Sequence, residues 1–443
     1  MDLPQDTFEA WTYVDHYRAN LTERFPFVVL PDSRASDIIV ERPCLAKAAV
    51  LAAANMDVAQ CTRLEGEFLQ YLHESHLLRG KRSMDLLQGL LVYLAWYHFH
   101  YLAARQSTVM LQIATALVAD LGLNRPLMQT EPFERQVRAG STDGEHDQQE
   151  TLDGYRAFAG CWYLSSAILG FSKKLPPMPW TPHLEQCLEH MMSSGRYNDR
   201  VAVHMVHMQH LQMVCAADGS DNGSVDCGCS FAKNGSVSSY SEQLSKLKAK
   251  APNSMRNRAT LNSHYLVIEM HIHKWPFSLR DPTDTSPTAI IKSLQSCLSA
   301  AKSFFNVLFS LPPVYLFELT FVVQLHVAHA LSTLFRLSIF AYPGWDLTEI
   351  RSSIGLAAVI AELQTMLEGT RNVLPNSDLE KHVFTRTVAP LQAFKGLLDQ
   401  QRPGVDGADV EANKLIDLPA LSDIDLDSLL AGLKVPMWMD FSS

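Results

Sequence analysis

Charge is scarce in this chain. Only 19% of the 443 residues are Asp, Glu, Lys or Arg, and acids outnumber bases 47 to 37, for a net charge of −10 with histidine neutral. A chain of that sign is a poor general ligand for phosphate backbones, whose binding needs clustered cations that release counterions. Any DNA contact must therefore come from a local basic patch or a partner. Glycine and proline are also few, 21 and 22, which excludes collagen-like repetition. The eight cysteines are spread thinly as Cys44, Cys61, Cys161, Cys187, Cys215, Cys227, Cys229 and Cys297. No Cys-x-x-Cys occurs, which removes the common zinc frameworks. No run of about 20 apolar residues lacks a polar interruption, so no membrane span is expected. The opening Met1-Asp2-Leu3-Pro4 has no apolar core, so no secretory signal is expected either. Turn signals between alternating strand formers are missing, and no fixed-period repeat is found.

What remains is helical periodicity over a chain that is 47% hydrophobic, enough to bury a core. Helices are predicted at Pro43–Met56, Ala59–Leu78, Ser83–Tyr101 and Ser107–Leu121. Ser83 reads as an N-cap, with Asp85 near the positive end of the dipole. Leu86, Leu87, Leu90, Leu91 and Leu94 make a wide buried stripe. Gly122 and Pro126 stop the fourth helix. Residues 129–150 are polar and acidic and read as a mobile surface loop. Helices resume at Leu152–Phe171, Thr181–Met192 (Pro182 near N1) and Arg200–Ala217. Residues 218–241, rich in Gly, Ser and Asn, read as a disordered insertion. Further helices are predicted at Asn262–Trp275, Thr288–Leu308, Val314–Ser338, Thr348–Glu368 and Asp378–Gln400. The expected fold is an all-α multi-helix bundle. Its organisation is an extension over 1–40, a helical domain over 41–400 and a tail over 401–443.

The tail is the most suggestive segment. Asp423, Asp425 and Asp427 alternate with Leu426, Leu429 and Leu430, and Trp438 and Phe441 follow. Acidic-hydrophobic alternation is the composition of activation segments that dock as a helix in a partner's groove. A terminal helix packed on its own domain fits the spacing equally well. Histidines cluster at His73/His76, His98/His100, His204/His207/His210, His271/His273 and His326/His329. The 204 triplet has i, i+3 neighbours, but its setting is apolar and Met-rich, which favours core histidines over metal ligands. Cys227-Gly228-Cys229 reads as incidental. Lys246, Lys248, Lys250, Arg256 and Arg258 form a weak basic patch, better read as a solvated edge. Nucleophile-elbow, phosphate-loop, zinc-protease and dinucleotide motifs are missing. No catalytic, cofactor or metal residues are therefore assigned. The aromatics from Tyr93 to Tyr101 are core, with the lining of an apolar ligand cavity as the alternative.

Three segments carry a family resemblance: Glu41-Arg42-Pro43, then Ser83-Met84-Asp85-Leu86-Leu87-Gln88-Gly89-Leu90-Leu91-Val92-Tyr93-Leu94-Ala95-Trp96-Tyr97, then Ala119-Asp120-Leu121-Gly122-Leu123-Asn124-Arg125. With Tyr155-Arg156 and Gly160-Cys161-Trp162-Tyr163-Leu164 they resemble the fungal-specific transcription factor domain, the regulatory middle region of fungal zinc-cluster factors. The resemblance is good over 40–180 and diffuse to about 400. Where several arginines are common in that third helix, this chain has one. The resemblance implies a non-catalytic, transcription-related scaffold; taken with the tail composition, the expected role is a nuclear regulator of fungal secondary-metabolism genes that acts through the helical body and the acidic tail. Its implied partners are the transcription machinery or a zinc-cluster factor. A small-molecule effector and a homodimer stay open. The six-cysteine cluster usual at the N-terminus of such factors is not in this sequence, whose first cysteine is Cys44. Direct DNA binding by this chain is therefore not expected. The alternatives are a helical tailoring enzyme with an apolar cavity, or a partner that antagonises zinc-cluster factors.

Overall fold

The computed structural model describes residues 7–53, 58–97, 106–126, 144–172, 175–218, 237–251, 259–278 and 286–371. Its helices are α1 (Thr7–His16), α2 (Ala35–Glu41), α3 (Pro43–Ala53), α4 (Val58–Leu72), α5 (Met84–Ala95), α6 (Ser107–Asp120), α7 (Gly144–Ser172), α8 (Pro182–Ser193) and α9 (Tyr197–Asp218). They continue as α10 (Val237–Lys250), α11 (Ala259–His273), α12 (Pro287–Phe309), α13 (Phe321–Ile339), α14 (Leu347–Ile354) and α15 (Leu356–Arg371). Among the described residues there is no strand beyond one isolated bridge between Tyr342 and Trp345. The fold is all-α.

Local chemistry sets the helix ends. The Ser83 hydroxyl accepts the Leu86 amide at 3.4 Å, and the Thr181 hydroxyl accepts that of Leu184 at 3.2 Å, with Pro182 at the first helical position. These side chains satisfy amides that have no intrahelical acceptor. Gly122 closes α6 with φ +64°, and the Leu123 amide reaches back to the Val118 carbonyl at 2.9 Å. That is the left-handed closure glycine permits.

The structure corrects several boundaries. α7 reaches back to Gly144, into the stretch read as a loop over 129–150. α10 begins at Val237, inside the stretch read as an insertion over 218–241. The single helix expected over Val314–Ser338 is divided into a 3-10 segment, Pro313–Glu318, and α13. An extended Leu319 separates them (φ −69°, ψ 136°). The helix expected over Thr348–Glu368 is broken at Gly355, φ +55°. The helix expected over 378–400, the tail over 401–443 and residues 219–236 lie outside the described residues, as do 98–105.

The buried side chains form two apolar clusters. The first is built from α1 to α10. The second is built from α12 to α15. α11 serves both, turning Leu261, Tyr265, Ile268 and Ile272 to the first and Val267 and Met270 to the second. α13 does the same, with Phe321 and Val322 on one side and Val323, Ala330, Leu334 and Leu337 on the other. By length and mean hydropathy α13 could also cross a membrane, although Gln324, His326, His329 and Arg336 interrupt its apolar run. Here it packs against α11 and α12.

Candidate functional site

The segment that carries the family resemblance is the most deeply packed element. Every residue of α5 from Asp85 to Ala95 is buried. Asp85 does more than sit at the start of its own helix. Its carboxylate accepts the amides of Cys44 at 3.2 Å and Leu45 at 2.9 Å. These belong to the first turn of α3, where Pro43 has no amide to satisfy. Burial raises the Asp85 pKa, and the two amide hydrogen bonds work against that rise. Gly89 lets the same two helices meet: a Cβ there would lie 2.7 Å from the Cys44 Sγ and 2.8 Å from its carbonyl carbon. Arg42 donates to the Gln88 side chain at 3.0 Å.

The aromatics of α5 pack in the interior. Tyr93 stacks on Phe68 with ring centroids 4.8 Å apart, and its hydroxyl donates to Glu65 at 2.7 Å. Trp96 meets Tyr17 and Phe25 edge-on, and its indole N–H donates to the Glu318 carbonyl at 3.4 Å. Tyr97 accepts the Gln106 amide at 2.6 Å. These rings are core, as the first of the two sequence readings has it. The cleft beside Tyr93 and Trp96 has essentially no room for a water molecule, and one beside Phe304, Leu308 and Leu319 encloses about 10 Å³. Small-molecule pockets run to roughly 300–1,000 Å³.

A second buried centre lies between α7, α8 and α9. Arg156 donates from Nε and Nη2 to both oxygens of Asp199, at 2.5 and 2.9 Å, and from Nη1 to Asp153 at 2.7 Å. The Ser194 hydroxyl completes the shell of Asp199 at 2.5 Å. Burial alone would lower the Arg156 pKa, but the two carboxylates raise it, so the charge is held. The fork geometry suits paired carboxylates. The sequence contains Arg156 in its resembling segment but offers no sign that Asp199, 43 residues on, is its partner.

The histidines pack with other side chains. His204 hydrogen-bonds Tyr265, and His210 stacks on Trp180 with centroids 3.9 Å apart. Burial lowers both to a pKa of about 4. His264, absent from the sequence-level clusters, pairs with His326, and His271 pairs with His329. Among the described residues no group of three or more His, Cys, Asp or Glu is placed to hold a metal ion. Cys161, Cys187 and Cys297 are buried thiols raised to about 12, so none is an activated nucleophile. In the basic patch, Lys246 pairs with Glu242 at 2.7 Å and Lys248 with Glu269. Arg256, Arg258, Cys227 and Cys229 lie outside the described residues, as does the whole acidic tail with Asp423, Asp425, Leu426, Asp427, Leu429, Leu430, Trp438 and Phe441.

No family model matches the chain, and no solved structure matches it. Among curated proteins it is similar to transcription factor opdL of Penicillium oxalicum, 25% identical over 370 residues that cover 80% of this chain and 64% of that protein. Transcription factor himD of Aspergillus japonicus is 27% identical over 312 residues, 67% of this chain and 50% of the relative. Transcription factor pbcR of Emericella nidulans is 27% identical over 225 residues, 47% and 30%. The matches thus span about two-thirds and one-half of the first two relatives. All three of these relatives are named transcription factors.

Proposed function

We propose that this chain is the helical regulatory body of a fungal transcription regulator that works in the nucleus on secondary-metabolism genes. The observation that carries this reading is the similarity to a named transcription factor along 80% of the chain. The packed interior of α5 and the Arg156 centre fit a scaffold. In this reading the net charge of −10 favours action through other proteins over a grip on promoter DNA by this chain itself. The transcription machinery or a zinc-cluster factor is the partner, and the tail over 401–443 supplies the activating contact through Leu426, Leu429, Leu430, Trp438 and Phe441, kept solvated by Asp423, Asp425 and Asp427.

Fusing the chain to a foreign DNA-binding domain tests this. Reporter output should rise with the full chain and fall at least tenfold when residues 406–443 are removed. Output equal with and without the tail would remove the tail from the mechanism. Deleting the gene should lower transcripts of a secondary-metabolism gene set. A purified chain that turned over a metabolite would refute the regulator reading itself.

A further inference from the structure

The surface between the two apolar clusters is crossed by histidines. His264, on α11, is fully buried and His326, on α13, is 3% exposed; their rings meet edge to face with centroids 4.4 Å apart. Half-buried His271 and His329 stack beside them, 4.2 Å apart and nearly parallel. Both pairs join α11 to α13, the two helices that serve both clusters.

The hydrogen bonds limit where the ring protons can sit. The Ser263 hydroxyl donates to the Thr260 carbonyl at 2.7 Å, so its 3.5 Å contact with His326 Nδ1 needs the proton on that ring nitrogen. That leaves His326 Nε2 as a bare lone pair, buried and without a partner. The Tyr163 hydroxyl and His264 Nε2 share a hydrogen bond at 2.8 Å. The other ring nitrogen, His264 Nδ1, is also buried and without a partner. The pair is thus organised for two neutral rings. A proton on either ring would be an unpaired charge in an apolar seam.

Among the described residues no carboxylate acts on the four rings as a counterion. The groups acting on the four rings are His204 on α9, Lys274 just past α11, Arg336 on α13, and one another. From the other packed elements, α7 presents Tyr163, and α12 presents Cys297, whose thiol donates to the Met270 carbonyl. The Glu269 carboxylate of α11 is engaged by Lys248 of α10. From α14, Arg351 donates to the Ser338 carbonyl. α5 meets α13 through Tyr97 and Phe321.

We propose that the His264–His326 contact is an acid-operated latch between the two clusters: protonation in mildly acidic solution parts the C-terminal helices from the N-terminal body while the helices persist. Opening would bare the apolar seam around Val267, Met270 and Val323, a surface of the kind a protein partner binds. Histidine is suited to this because its ordinary pKa lies near neutrality. The latch stands on packing alone and is independent of the proposed function.

The test uses the full chain, titrated from neutral pH to about pH 4.5, with an apolar fluorescent dye reporting exposed seam and far-UV circular dichroism reporting helix. Dye binding should rise below about pH 6.5 while helicity holds. The H264Q/H326Q double variant should shift the midpoint down by about one pH unit. An unchanged midpoint in that variant, or loss of helix coincident with dye binding, would overturn the latch. Where the double variant lacks native helicity at neutral pH, histidine-ring NMR on the unaltered chain decides. The two rings changing together at the opening pH supports the latch, and each titrating singly near its ordinary pKa without dye binding overturns it.

Discussion

Single side chains hold this body together by reaching across helices. Asp199 is the strongest case, since it neutralises and hydrogen-bonds a guanidinium that is 1% exposed. Removing one partner of a buried ion pair leaves the other charge uncompensated, at about 3–5 kcal/mol. Asp199→Ala should therefore lower the urea midpoint by that equivalent, and much more than Lys246→Ala, whose partner Glu242 is exposed. Gly89 is the second case. A methyl there meets the Cys44 backbone, which cannot swing aside. Gly89→Ala should cost roughly 1–3 kcal/mol, read as a fall in the thermal midpoint, whereas Gly66→Ala, with open space around it, should not destabilise.

At the scale of the element, the ends are where sequence and structure agree best. Ser83, Thr181-Pro182 and Gly122 are local signals, each acting on amides or carbonyls within a turn of itself. Thr181→Ala should cost about 0.5–2 kcal/mol and speed hydrogen exchange at the Leu184 amide, with no change at Leu86. Wild-type exchange at Leu184 in that variant would show that Thr181 is no cap. The helices misjudged from the sequence are those where an interruption sits inside a good apolar pattern. Gly355 adopts φ +55° between two amphipathic stretches, and Leu319 is extended between Pro313 and Phe321. Periodicity carries across such a break because it reads side-chain polarity, not backbone angle.

For the whole molecule, the buried histidines set the dependence on pH. Burial lowers His204 and His210 to about 4 and His326 to about 3, each below its unfolded value near 6.5. Such groups are neutral when folded and bind protons on unfolding. Stability is full above about pH 6.5 and is lost as pH falls from there toward the folded values. Each contributes about 1.4 kcal/mol per pH unit in that window. The urea midpoint should fall steeply between pH 6.5 and 5, and a flat profile there would contradict this arrangement. Asp85 and Asp153 act in the opposite sense at lower pH, because burial raises theirs.

Taken by itself, the order of residues determined the all-α class, the buried stripe of α5, most helix ends and the core character of the histidine triplet. All of these follow from patterns within a few turns of one helix. Only the tertiary structure decided that Asp85 caps α3, that Arg156 belongs with Asp199, and that His264 faces His326. Those pairs join helices 41, 43 and 62 residues apart in the chain. Such meetings depend on crossing angles and close approaches, at Gly89 among others, that no local pattern encodes.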